Sequence, residues 1–234
     1  MKKMRHLNKI IFINSAHIRY AEVAMDGNVH FTGTQGVGKT TLLRALLFFY
    51  NCRKEKLGIR TQGQKGFDDF YVPDLSSYII YEVSRGEEEP PFSIILFRHH
   101  NRVAFRFVDA PYSKDWFIDG LRTVVTDRAA LAQRIRTLGI DVSKIIDRRL
   151  EYLDIQYGNR SAHLSRDLLK YYLLRSQQYQ NIPRIIQNVF LNERVDAGFI
   201  KDIIINSITG EDEEIAVDLN FFRSKLTHFS SSLK

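Results

Sequence analysis

Cysteine, proline and long apolar runs are all scarce in this sequence. Its 234 residues hold one cysteine, Cys52, and five prolines. A single thiol excludes an internal disulfide framework and any zinc site built from cysteine alone. No apolar run reaches the ~18 residues of a membrane-spanning helix, so no membrane partner is expected. The start, Met1-Lys2-Lys3-Met4-Arg5-His6, is basic but lacks the apolar core and small-residue cleavage site of a secretory signal. The seven histidines show no H-E-x-x-H or similar metal spacing, and no Lys/Arg-Gly-Phe pattern of RNA recognition is present. A soluble, cytoplasmic protein is the expectation. The 44% hydrophobic and 26% charged residues argue against wholesale disorder. The formal net charge of +7 permits a polyanionic partner without demanding one.

What is present reads as strands first and helices later. Residues 10–14, 20–25 and 28–32 are strand candidates, with Asp26-Gly27 as a hairpin turn between the last two. Gly33 to Lys39 carries three glycines in seven residues, and Thr40 to Tyr50 is helical and apolar nearly all round, so it must be buried. Residues 51–69 turn basic and glycine-rich and read as a surface loop. Residues 78–84, 92–98 and 103–108 form an expected antiparallel meander, with His99-His100 as a turn, and 116–118 is a possible short addition. Beyond residue 127 the period becomes helical, with helices expected at 128–138, 143–153, 162–173, 183–193 and 196–207. Asp127 and Ser143 are candidate N-caps and Pro183 sits in a first turn. The final stretch, 217–234, shows apolar residues at helical spacing. The expected organisation is a nucleotide-binding lobe over 1–125, a helical subdomain over 126–216 and the start of an outgoing helix over 217–234.

One motif carries chemistry. Gly33-Thr34-Gln35-Gly36-Val37-Gly38-Lys39-Thr40 fits G-x-x-x-x-G-K-[ST] in full, between an expected strand and an apolar helix. Its glycines let backbone N–H groups curl around phosphate oxygens, and the helix N-terminus aims a positive dipole end at the same anion. Lys39 would neutralise β/γ-phosphate charge and the Thr40 hydroxyl would bind Mg²⁺, with Thr41 starting the helix behind them. A hydrolytic site also needs an acid at the end of an apolar strand. The nearest is Asp109, which its setting before Ala110-Pro111 favours as a turn residue.

Taken together, Asp26-Gly27-Asn28-Val29-His30-Phe31-Thr32, the phosphate loop and the helix ending Phe48-Phe49-Tyr50 resemble the N-terminal half of an SMC/RecF/RecN-type ATPase head. This ABC-like group includes bacterial condensins and defence-associated relatives. The resemblance implies an α/β P-loop NTPase fold with an antiparallel β-meander and a helical subdomain. It implies ATP and Mg²⁺ as ligands. It also implies a complementary C-terminal lobe beyond a long coiled coil, a second head, accessory subunits and DNA as partners. By position, Gly33, Gly36, Gly38, Lys39 and Thr40 match the family's phosphate loop, and the flanking Thr34, Gln35, Val37 and Thr41 go with them. The family's Mg²⁺- and water-contacting glutamine falls on Gln177 or Gln178, and its nucleotide-reaching arginine on Arg60, with Arg53 as rival. His17, Arg19 and Tyr20 sit where relatives touch the adenine. Such an ATPase would sit in the cytoplasm, where the nucleoid is within reach.

The departures are equally specific. Thr34-Gln35 replaces the Pro-Asn common in SMC loops, and neither a signature loop nor a strand-end acid is evident. Two other readings stay open: a self-contained P-loop kinase or GTPase, although no Asn-Lys-x-Asp guanine signal is present, and a module using nucleotide as a structural ligand. The basic run Arg53, Lys54, Lys56, Arg60, Lys65 is either a DNA-backbone contact or a solvated loop.

Overall fold

The computed structural model describes residues 5–27, 29–57, 65–119, 123–159 and 164–173. Five strands form one sheet in the order β2-β1-β3-β4-β5: β1 His6–Ser15, β2 Ile18–Ala24, β3 Tyr78–Ser84, β4 Phe92–His99 and β5 Arg102–Val108. Every pairing is antiparallel. The meander over β3, β4 and β5 lies where the alternation of apolar residues places it. Two of the hairpins close through two-residue turns with both central residues at positive φ, Ala16-His17 (51° and 67°) and His100-Asn101 (44° and 61°). That conformation matches the right-handed twist of the paired strands.

The first hairpin differs from expectation. β1 turns back at Ala16-His17, so β2 is its partner and Asp26-Gly27 is a bend with Gly27 at φ 75°. The residues after it, 29–34, form no strand. A strand needs a neighbour for its backbone groups, and no described segment pairs with Val29–Thr32. Near residue 116 the chain makes a 3₁₀ turn, Lys114–Trp116, and a single bridge between Ile118 and Val124 rather than a strand.

Both faces of the sheet are covered, which is why β3 is buried along nearly its whole length. Alternate residues feed two cores. On one face Ile10, Phe12, Ile79, Tyr81, Leu96, Phe105 and Phe107 pack under α1 Lys39–Asn51, α2 Phe67–Tyr71 and the later helix Arg149–Tyr157. On the other face Ile11, Ile13, Tyr78, Ile80, Ile95 and Phe97 meet Trp116, Phe117 and the helix α3 Arg128–Arg136, so Arg149–Tyr157 is α4. The Asp127 carboxylate caps α3, accepting from the N–H groups of Ala129 and Ala130.

The helix expected over 143–153 begins later, at Arg149. Residues 141–146 instead run along the outer edge of β5, with Phe105 and Ile146 exchanging N–H···O bonds of 2.8 and 2.9 Å. Ser143 serves that edge rather than a helix: its Oγ accepts from the Phe107 N–H at 2.9 Å and its own N–H donates to the Phe107 carbonyl. Covering an edge strand's unpaired groups outweighs the helical pattern there. Residues 166–171 form a 3₁₀ turn. The helices expected over 183–193 and 196–207, and the stretch 217–234, lie outside the described residues.

α1 is the centre of the first core. Phe48 is 1% exposed and its ring stacks on Phe67 and Phe105, with centroids 4.0 and 6.2 Å away. Tyr152 donates its hydroxyl to the Phe49 carbonyl at 2.7 Å, and Gln156 Nε2 donates to the same oxygen at 2.9 Å. Phe48→Ala is expected to cost ~3–5 kcal/mol through the cavity it leaves. Tyr152→Phe should cost only ~1 kcal/mol, because Gln156 still satisfies that carbonyl. Urea unfolding of the two variants checks the ranking; equal losses would contradict the packing described.

Candidate nucleotide site

The glycine-rich loop adopts the backbone its composition allows. Gly33, Gly36 and Gly38 stand at φ 144°, 89° and 92°, values that other residues rarely take. A Cβ on Gly33 would also lie 2.9 Å from Val37 Cγ2. Gly38 is the N-cap of α1 and brings no side-chain acceptor, and the first turn contains no acid. The N–H groups of that turn are therefore left for an outside acceptor, with the positive end of the helix dipole behind them. Lys39 folds back over the loop, its Nζ donating to the carbonyls of Gly33 at 2.6 Å and Thr34 at 2.8 Å. Gln35, Val37 and Thr40 are exposed, and Thr41 is half-buried. Loop, ammonium and Thr40 hydroxyl are thus gathered at one helix end, a donor set that fits a phosphate chain and a Mg²⁺ ion.

The surroundings of this end come from three parts of the chain. The Tyr71 hydroxyl on α2 donates to the Thr41 carbonyl at 2.8 Å, and Arg44 Nε on α1 donates to the Leu57 carbonyl at 3.0 Å. The β1–β2 turn joins them: the Ala16 N–H donates to the Phe70 carbonyl at 3.2 Å, and the His17 ring meets Phe70 edge-on. Of the three residues suggested for the base, His17 therefore lies beside α2. Arg19 is exposed and shares its strand face with Ala21 and Val23, whose partners Phe12 and Ile10 belong to the α1 side. Tyr20 belongs to the opposite face, packed against the α3-side core with Lys114 4.3 Å from its ring and its hydroxyl bonded to Glu22 and Tyr112. Arg60, Gln177 and Gln178 lie outside the described residues. The rival Arg53 is exposed at the far end of α1, its N–H bonded to Asn51 Oδ1. Lys54 of the basic run is tied to Asp68.

Asp109 is a turn residue with a structural partner set. Its carboxylate pairs with Arg85 Nη2 and Lys170 Nζ, each at 2.6 Å, and Lys170 reaches Asp141 at 2.9 Å. The network ties the end of β5 to the 3₁₀ turn at residues 166–171. Sequence reasoning missed it because Arg85 and Lys170 are 85 residues apart and neither carries a local signal.

The chain belongs to a family described as Protein of unknown function (DUF3584), whose pattern matches residues 12–223. No curated protein and no solved structure matches it. No helix among the described residues is long and apolar enough to cross a membrane.

Burial alone would raise the Asp109 pKa, but the hydrogen bonds from Lys170 and Arg85 outweigh it and hold the carboxyl below its ordinary value. A depressed folded-state pKa contributes stability that is full above the unfolded value, near ~4, and is lost as pH falls through the folded one. Asp109→Asn should therefore lower stability at pH 7 and flatten its decline below about pH 4. Denaturation at stepped pH values checks this. An unchanged acid limb would mean the ion pairs contribute little.

Proposed function

We propose that the chain is the N-terminal ATP-binding head lobe of an SMC-like ATPase, coupling nucleotide binding, hydrolysis and head engagement to action on DNA. The observation that carries the reading is the complete phosphate loop at the uncapped N-terminus of a buried helix, with Lys39 drawn over the loop carbonyls. In this reading the loop N–H groups and Lys39 take the β- and γ-phosphates, and Thr40 holds Mg²⁺, which would offset the charge of the transferring phosphoryl group. Gln177 or Gln178 would orient the attacking water, and Arg60 would reach the nucleotide.

The remaining parts must come from elsewhere. Asp109, the only strand-end acid in the meander, is committed to Arg85 and Lys170. Val29–Thr32 enters the loop without a strand partner among the described residues, and Leu43, Leu46 and Tyr50 leave a half-buried apolar row on α1. A complementary C-terminal lobe that supplies strands and covers that row would account for both, and a second head would complete the catalytic site. The basic residues around Arg53 and Lys65 would then face DNA phosphates, with salt-sensitive affinity.

The purified chain should bind Mg-ATP and turn it over slowly. Lys39→Ala should weaken binding by roughly ten- to hundredfold, the loss of a charged hydrogen-bonding partner worth ~1.5–3 kcal/mol, while leaving the unfolding curve near wild type. Calorimetric titration with a parallel phosphate-release assay measures both. Vigorous turnover by the isolated 234 residues would sink the split-head reading in favour of a self-contained P-loop enzyme. Binding indifferent to Lys39 would sink the site itself.

A further inference from the structure

The α3-side face of the sheet holds two arginines, one buried and one half-buried, that form no ion pair among the described residues. Arg128, the first residue of α3, is 9% exposed, and its guanidinium lies over the rings of Tyr78 and Phe97 at 4.2 and 4.8 Å from their centroids. Tyr78 steadies the charge electrostatically and through its hydroxyl oxygen, with more distant support from the Asp74 and Asp127 carboxylates, while the hydroxyl itself donates to the Val125 carbonyl. Beyond the Tyr78 oxygen, the three buried guanidinium nitrogens of Arg128 find no well-aligned acceptor among the described residues. Arg106, central on β5, donates through Nη1 to the Arg128 carbonyl at 3.0 Å, and its buried Nε has no acceptor among the described residues.

The acids nearby are occupied. Asp127 caps α3, and Asp74 accepts from the Ser76 N–H and from the Ser76 and Ser77 hydroxyls. No carboxylate among the described residues forms an ion pair with either guanidinium. Burial, then Arg136 and Arg128, push the Arg106 pKa down, and burial does the same to Arg128. Aromatic faces satisfy the flat side of a guanidinium, but its in-plane N–H edge still needs an acceptor. A buried charge left unpaired is among the costlier arrangements a protein can hold.

We propose that Arg106 and Arg128 together hold an oxyanion, a phosphate-type ion or a carboxylate, on the α3 side of the sheet, separate from the phosphate loop. The planar guanidinium suits such a group because two N–H donors meet two oxygens in parallel. Arg106, only partly buried, gives the anion its way in. The rings of Tyr78 and Phe97 hold the Arg128 fork in place before the anion arrives.

The test uses the full chain carrying Lys39→Ala, which takes the phosphate loop out of the measurement and keeps the two sites distinguishable. Inorganic phosphate and, in a parallel arm, acetate are titrated at millimolar concentration and constant ionic strength, and read by calorimetry and thermal unfolding. Saturable binding with a rise in Tm, abolished by adding Arg106→Gln, is the expected result. A response to phosphate alone assigns the site to phosphate-type ions, and a response to acetate as well assigns it to carboxylates of a protein segment. If the Gln variant does not unfold cooperatively, Arg106→Lys, which keeps the charge and loses the fork, must weaken binding. No saturable binding of either anion, or binding that ignores both substitutions, overturns the proposal.

Discussion

The structure depends on burying one helix that is apolar almost all round. α1 cannot face water along most of its length, so the sheet lies under one side and α4 and α2 close over it. Burial of that kind raises a problem for the last carbonyls of the helix, which have no partner within it. The answer comes from α4. Tyr152 and Gln156 donate to the Phe49 carbonyl, Tyr157 to that of Tyr50 and Arg149 to that of Asn51. Further along, the hydroxyls of Tyr71 and Tyr81 donate to the carbonyls of Thr41 and Ala45. Residues in six separate places along α4, α2 and β3 thus serve the backbone of a single helix.

That treatment is asymmetric, and the asymmetry marks the candidate site. The C-terminal carbonyls are taken up, that of Phe48 by the Cys52 N–H and the next three by side chains, whereas the N-terminal N–H groups receive no cap and no acid. A helix held rigidly by its body and its C-terminus can present its N-terminal donors to an outside anion without rearranging them. The α3-side core obeys a different logic. There the rings of Tyr78 and Phe97 carry a cation rather than a helix backbone, and Arg106 crosses the sheet face to bond α3 through the Arg128 carbonyl.

Local features were the most legible in the sequence. The glycine-rich loop before α1 could be read because its glycines sit at fixed spacing, and the structure gives those glycines positive φ values. The meander and the Asp127 cap followed from alternation and from a single side chain. The Ala16-His17 turn could not be read, because neither residue advertises the positive φ it adopts, whereas Asp26-Gly27 advertises a turn and makes only a bend. Ser143 misled in the same way: its hydroxyl suits a cap, yet it is taken by the edge of β5. The partners of Asp109 and the ring-stacked Arg128 were beyond reach, since each depends on contacts set by tertiary packing alone.

The contrast between Lys39 and Arg128 shows how the fold places positive charge. Lys39 sits at the surface end of a helix, its ammonium shared between two backbone carbonyls that a stronger acceptor can displace. A phosphate chain offers such an acceptor, since a charged oxygen outcompetes a neutral carbonyl for an ammonium. Arg128 is instead held over two ring faces that accept no in-plane hydrogen bond, with the Tyr78 hydroxyl oxygen at its edge. The first arrangement favours exchange, because bound and unbound states each satisfy the lysine. The second, if it takes the proposed anion, would favour retention, because only the bound state would satisfy the remaining donors of the arginine. Under the proposed function a nucleotide released after hydrolysis would suit the first kind of site, and the proposed oxyanion, holding structure together, would suit the second.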